Sequence, residues 1–261
     1  MYIYGRKKSF KPQEKAKYLL VKNYFEVEKI HNSTCIHLAE NANLKEFSKL
    51  KTQKRNKALN LSIEITKHLC SKFDHVTYAS SAYLYGTTSP LRHEETDPVE
   101  INHPYAEMKH NNEKAVLENG GAVARISNVY GEGMSKSGVI PRIIKQVSKK
   151  IIKVKSIFPI RDFIHVSDVA SDISTLSIHR ANGIFNIGTG IGTSIRELIL
   201  LLISHNDAPK NKIVSLENYK SLSCLIINPE KMQKAFSIKP KKNIKQVLLN
   251  KTLQQKIAKN T

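Results

Sequence analysis

Glycine is nearly absent from the first third of this 261-residue chain: after Gly5 there is none until Gly86. A turn that cradles phosphate ahead of a helix needs closely spaced glycines, so residues 1–85 contain no such turn. Cysteine is equally scarce. Cys35, Cys70 and Cys224 are odd in number, far apart and without metal-ligand spacing. That excludes a disulfide framework or zinc site and implies reduced, mostly buried thiols in a cytoplasmic protein. The ten histidines form no ligand cluster, so no metal is expected. No run approaches the roughly 20 apolar residues that span a bilayer, and the N-terminus has no apolar signal core. The greasiest stretch, 198–203, reads as one face of a buried helix.

Acidic residues are also a minority, 22 against 42 Lys and Arg, which leaves a net charge of +20. An excess of this size suits nucleic acid, an acidic membrane surface or an anionic substrate. Lysine is scattered, with only the short clusters Lys7-Lys8, Lys149-Lys150 and Lys241-Lys242, and no basic stretch is interleaved with aromatics. Neither a nucleic-acid nor a membrane partner is therefore expected. The charge reads as a solvated lysine surface, part of which steers an anionic substrate toward its cleft.

A chain of this length buries a real core as one large domain or two small ones. Strand and helix patterns alternate along it. Strands are predicted at 1–4, 18–21, 34–38, 75–79, 122–131, 151–154, 184–187 and 225–228. Helices are predicted over 59–69, through Tyr105 and Lys109, and at 139–147, 194–203 and 229–236, with a Lys- and Gln-rich surface helix beyond Pro240. Such alternation predicts an α/β fold with a doubly wound parallel sheet.

What chemistry is present centres on Tyr105 and Lys109, four residues apart and so side by side on one helix face. A phenol with a pKa near 10 is a poor base at neutral pH, and an adjacent cation stabilises its phenolate. Upstream, Ser80-Ser81 ends an apolar strand, and the Ser81 hydroxyl is placed to hold an alcohol or ketone whose proton moves. These three groups suit an enzyme coupling proton transfer at oxygen to hydride transfer at carbon.

The order of motifs adds specificity: Ser80-Ser81-Ala82-Tyr83-Leu84-Tyr85-Gly86, Pro104-Tyr105-Ala106-Glu107-Met108-Lys109, Arg125-Ile126-Ser127-Asn128-Val129-Tyr130-Gly131, Gly138-Val139-Ile140-Pro141-Arg142, Arg161-Asp162-Phe163-Ile164-His165-Val166-Ser167-Asp168-Val169-Ala170, and Phe185-Asn186-Ile187-Gly188. Over roughly 34–240 the sequence resembles the extended short-chain dehydrogenase/reductase family, in its nucleotide-sugar epimerase/dehydratase branch. The resemblance implies a Rossmann-like dinucleotide-binding part over 1–130. A smaller C-terminal α/β part, 131–261, would bind the nucleotide-sugar and return some strands to the main sheet.

The resemblance also implies roles. Tyr105 would be the general acid/base, Lys109 would tune it and bind the nicotinamide ribose, and Ser81 would hydrogen-bond the reacting oxygen. Asn128 and Arg161 would meet the diphosphate or nucleotide, the alternative for Arg161 being an ion pair with Asp162 or Asp168. Leu38 and Ala39, beside His37, would line the dinucleotide, and Asn56 would lie near it. Asn23 stands where the family often has an adenine-contacting Asp. Against this pattern the family's opening strand, Gly-rich turn and helix are missing, and residues 1–4 fall where its second strand belongs. Arg6 and Lys7 would then occupy the loop that reads the adenosine ribose, where cations suit a 2′-phosphate and favour NADP over NAD.

Gly188-x-Gly190-x-Gly192 imitates a dinucleotide fingerprint, but it sits late in the chain with no acidic strand end downstream. It reads as a tight turn before a helix capped by Thr193 or Ser194.

Ala82-Tyr83 after Ser81 supplies no acid for the water elimination of the family's 4,6-dehydratases, and no Cys lies near that turn for epimerase-reductase chemistry. The expected reaction is therefore C4 epimerisation or reduction of a 4-keto sugar, an isomerase or oxidoreductase step of polysaccharide or antibiotic-sugar biosynthesis. The absent phosphate loop leaves a second reading, a catalytically inactive remnant that binds sugar nucleotides. It also predicts self-association through an uncovered sheet edge, beside the homodimer that the family often forms.

Overall fold

The computed structural model describes residues 2–5, 17–20, 23–39, 50–205, 212–217 and 223–250. In chain order the elements are β1 (Tyr2–Gly5), β2 (Lys17–Leu20), β3 (Thr34–His37), α1 (Thr52–Lys72), β4 (His75–Ser81), β5 (Arg92–His93), α2 (Pro104–Glu118), β6 (Ala122–Ile126) and β7 (Asn128–Tyr130). They continue with α3 (Val139–Ile144), β8 (Ile151–Val154), β9 (Ile160–His165), α4 (Val166–Ile178), β10 (Gly183–Ile187), β11 (Gly192–Ser194), α5 (Ile195–His205), β12 (Lys212–Ser215), β13 (Cys224–Ile227), α6 (Glu230–Phe236) and α7 (Ile244–Leu249). Strand and helix alternate, as the sequence predicts.

The chain folds as two compact units that interleave along the sequence. The first comprises Met1–Ser80, Glu100–Ala124 and Ile173–Ile184, and the second comprises Ser81–Val99, Arg125–Asp172 and Phe185–Thr261.

In the first unit β1 pairs parallel with β2, and β3 pairs parallel with β4 in the register Thr34↔His75 to His37↔Tyr78. β3 and β4 belong to a four-stranded sheet of order β10-β6-β4-β3. Parallel neighbours cannot be joined by a tight turn, so α1 carries the crossover from β3 to β4. The core joins Val76, Tyr78, Val116 and Val123, with Cys35, Cys70 and Phe73 against it. Burial pushes the Cys35 thiol up to about 12 and the Cys70 thiol to about 11.

α2 carries Tyr105 and Lys109, and its ends are well specified. His103 caps it, Nδ1 accepting the Tyr105 N–H at 3.1 Å, and Pro104 fills the first turn where no N–H is needed. At the far end Gly120 adopts φ +69°, and Gly121 returns its N–H to the Val116 carbonyl at 3.0 Å. A Cβ on Gly121 would lie 2.5 Å from the Val76 carbonyl oxygen and 2.6 Å from Val116 Cγ1. The helix-to-strand turn therefore runs directly against β4.

The second unit holds a five-stranded sheet of order β11-β9-β13-β5, with β7 also pairing β9, and a separate parallel pair β12-β8. Its core packs Tyr130, Ile140, Ile143, Ile152, Phe163, Leu198, Ile199 and Leu248. Two expectations need correction here. The run 122–131 is two strands: Ser127 leaves the ladder, donating its N–H to the Ile187 carbonyl at 3.0 Å, and β7 then pairs with β9. The helix expected over 139–147 closes at Ile144 and continues only as turns.

Candidate active site

Three consecutive residues of β4 are bound by three residues of one α2 face, and this lacing organises the site. Tyr78 Oη accepts from Asn112 Nδ2 at 3.4 Å, the Ala79 carbonyl accepts from Lys109 Nζ at 2.7 Å, and Ser80 Oγ donates to the Glu113 carboxylate. Residues 109, 112 and 113 share a helix face because they are three and four apart. Asn112 also reaches α1 through Ser62 Oγ at 2.8 Å.

Tyr105 and Lys109, brought together by the same spacing, are both buried, at 7% and 5% exposure. The ammonium lies 5.8 Å from the Tyr105 ring centroid and 4.7 Å from that of Tyr78. The ammonium is thus held between two phenol rings, with the Ala79 carbonyl as its hydrogen-bond acceptor. Ser81, the last residue of β4 and the first of the second unit, is half-buried and accepts the Tyr83 N–H at 3.2 Å.

Among the expected dinucleotide contacts, Leu38 is 65% exposed just past β3, and Ala39 is half-buried with its N–H on His37 Nδ1 at 3.3 Å. His37 itself is buried, with Nε2 on Thr66 Oγ1 at 3.1 Å. Asn56 is exposed on α1. Asn23 caps a short 3-10 turn, accepting the Phe25 N–H at 2.9 Å. Arg6 and Lys7 lie outside the described residues.

Asn128 and Arg161 stand on the adjacent strands β7 and β9 of the second unit, with Asn128 exposed. Arg161 Nη1 donates to the carbonyls of Ile160 and Ser223, both at 2.7 Å, and Nη2 donates to Ser223 Oγ at 2.8 Å. Burial lowers its basicity, partly opposed by Cys224 and Tyr83. The two acids weighed as its partners are engaged elsewhere. Asp168 accepts the N–H groups of Lys241 and Lys242 at 3.2 and 3.0 Å.

Asp162 explains the late glycine turn. Its carboxylate accepts from Thr189 N at 3.0 Å, Thr189 Oγ1 at 2.6 Å and Gly190 N at 2.9 Å, with Gly190 at φ +72°. The backbone donors that would cradle a phosphate are thus already occupied by a carboxylate. Desolvation raises the Asp162 pKa, and the bonds from Thr189 and Gly190 oppose that rise. The helix start follows at Ser194 and Glu197, which cap one another: Glu197 N donates to Ser194 Oγ at 3.1 Å and Ser194 N to Glu197 Oε2 at 2.7 Å. The sequence offered Asp162 only as an ion-pair partner for Arg161, and it assigned no role to Ser80 or Glu113. Glu113 carried a visible signal, standing four residues after Lys109 on the same face.

A buried Tyr-Lys pair thus stands beside the carboxyl end of β4 in an α/β fold. The chain belongs to the NAD dependent epimerase/dehydratase family, whose profile matches residues 17–188. It is 34% identical over 142 residues to a Methanocaldococcus jannaschii protein provisionally named UDP-glucose 4-epimerase, covering 48% of this chain and 45% of that one. It is 31% identical over 101 residues to dTDP-L-rhamnose 4-epimerase of Burkholderia thailandensis, covering 35% of this chain and 28% of that one. The matched part is thus less than half the length of each relative. Among solved structures, RMD from Pseudomonas aeruginosa complexed with NADPH superposes with a TM-score of 0.79 at 24% identity, over 96% of this chain and 92% of that one. The Rossmann-like α/β fold expected from the sequence is therefore present.

Proposed function

We propose that this protein is an NAD(P)-dependent nucleotide-sugar 4-epimerase or 4-ketoreductase, with Tyr105 as general acid/base, Lys109 as its electrostatic partner and Ser81 on the reacting oxygen. The observation that carries the reading is the buried Tyr105–Lys109 pair, with the Lys109 ammonium fixed at 2.7 Å on the Ala79 carbonyl. An ammonium is costly to bury unless bonded, and here it is retained beside a phenol. Both relatives described above are named as 4-epimerases, in keeping with the absence of an acid or a cysteine directly after Ser81.

A nicotinamide dinucleotide supplies the hydride acceptor and donor of such chemistry. The chain's donor set fits part of it. Lys109 offers N–H groups to a ribose hydroxyl, and the exposed Leu38 offers an apolar surface to a flat ring, with Ala39 next to it in sequence and Asn56 exposed on α1. Arg6 and Lys7 favour NADP over NAD. Asn128 and Arg161 would receive the nucleotide diphosphate, Arg161 through the N–H groups it does not spend on Ile160 and Ser223.

The test is incubation with UDP- and dTDP-sugars and NAD, NADP or NADPH, following sugar epimers by NMR and nicotinamide reduction by absorbance. An epimer or cofactor turnover that disappears in Tyr105→Phe is the expected result. Silence across the panel, with the protein folded, refutes the reading.

A further inference from the structure

Glu113 is a carboxylate that the proposed chemistry does not use. It is 1% exposed, on a helix whose buried residues include the apolar Ala106, Met108, Ala115 and Val116. Burying an acid there is costly unless it is hydrogen-bonded, and the carboxylate receives the Ser80 hydroxyl. Ser80 is the peptide neighbour of Ala79, whose carbonyl holds the Lys109 ammonium, and Glu113 is one helical turn beyond Lys109. Two consecutive strand residues and two helix residues one turn apart therefore close a ring of covalent chain and hydrogen bonds. Lysine carries its charge on a flexible four-carbon stem, so its position is set by what holds its end.

We propose that Glu113 is a positioning residue for the Lys109 ammonium, acting through Ser80 to fix the Ala79 carbonyl on which that ammonium rests. The inference builds on the reading of Tyr105 and Lys109 as the reacting pair. It concerns this chain's own geometry, and one of its readouts needs no turnover. Ser80 is the next residue after the carbonyl that Lys109 bonds. It transmits the constraint along a single peptide unit.

The experiment compares Glu113→Ala, Glu113→Gln and Ser80→Ala with the native protein. The first readout is the rate at which Lys109 is reductively methylated by formaldehyde with cyanoborohydride as hydride donor under native conditions, read by peptide mass spectrometry alongside the thermal midpoint. Loss of the bond in Glu113→Ala or Ser80→Ala frees the ammonium and speeds its modification by about ten-fold. Glu113→Gln keeps an oxygen toward Ser80 and restores the native rate. The second readout is turnover: kcat falls about ten- to a hundred-fold while KM stays within about three-fold, because misplacement harms the reaction more than binding. If the alanine variants melt earlier but Lys109 modification and kcat are unchanged, Glu113 is structural glue and the proposal is overturned. If Glu113→Ala does not fold, Ser80→Ala decides the question, since it removes only a hydroxyl. Silence of the native protein on every nucleotide-sugar refutes the functional reading alone, and the methylation rates still decide the role of Glu113.

Discussion

The Lys109 ammonium donates to the Ala79 carbonyl at 2.7 Å, so the charge beside the Tyr105 phenol is anchored to the strand rather than to the helix that carries it. The pair is therefore sensitive to two elements at once. Tyr105→Phe leaves every bond of β4 to α2 described above in place, and should keep the native thermal midpoint while reducing turnover by about 10²- to 10⁴-fold. Lys109→Met should reduce turnover as well. It also leaves the Ala79 carbonyl without its donor, so a lower thermal midpoint is expected for this variant and not for the first.

Asp162 should matter for folding rather than for catalysis. Its carboxylate takes three donors from Thr189 and Gly190, and hydrogen bonds to charged groups contribute about 1.5–3 kcal/mol each, though not additively. Asp162→Ala should cost about 3 kcal/mol or more in urea unfolding, since it strands the donors of a buried turn. An unchanged midpoint would show that the turn holds itself.

Asp172 should give the protein a pH dependence of the opposite sign to that of paired carboxylates. Burial, and then the Asp168 charge one turn earlier on α4, push its pKa up to about 6. The folded-state value lies above the ordinary one, so the protonated acid favours the fold. That contribution is complete below the ordinary carboxylate value of 3.8 and is lost as pH rises through about 6. Asp172→Asn should therefore unfold later than the native protein at about pH 7.5, by on the order of 1 kcal/mol after solvent screening, and together with it at about pH 3.5. Equal midpoints at both values would contradict this.

The thiols of the first unit should be inert while the chain is folded. With Cys70 near 11 and Cys35 near 12, no more than about one Cys70 in a thousand is thiolate at about pH 8. Iodoacetamide should label both slowly in buffer and rapidly in urea, as peptide mapping would show.

Much of the fold was legible because its strands are apolar runs bounded by turn residues, and the strands at 34–37, 75–81, 151–154 and 224–227 lie where that pattern puts them. The break at Ser127 was not legible, since 122–131 reads as one β run and only the choice of neighbour, Ile187 or β9, divides it. β5, β11 and β12 are short pieces whose pairing is set by tertiary context rather than by periodicity. At the candidate site, Tyr105 and Lys109 follow from helical spacing alone. The bond of Glu113 to Ser80 depends on how α2 docks on β4. The hold of Ser223 on Arg161 depends on β13 lying beside β9. Such long-range pairings have no signature in a local window.

Gly121 sets a limit on how this chain can vary. With Val76 oxygen 2.5 Å from where a methyl would stand, the hairpin from helix to β6 admits a hydrogen atom and nothing larger. A saturation library at positions 119–121, selected for folding, should return many residues at 119 and glycine alone at 121. Any attempt to lengthen or re-angle the tyrosine-bearing helix has to pivot at its other end.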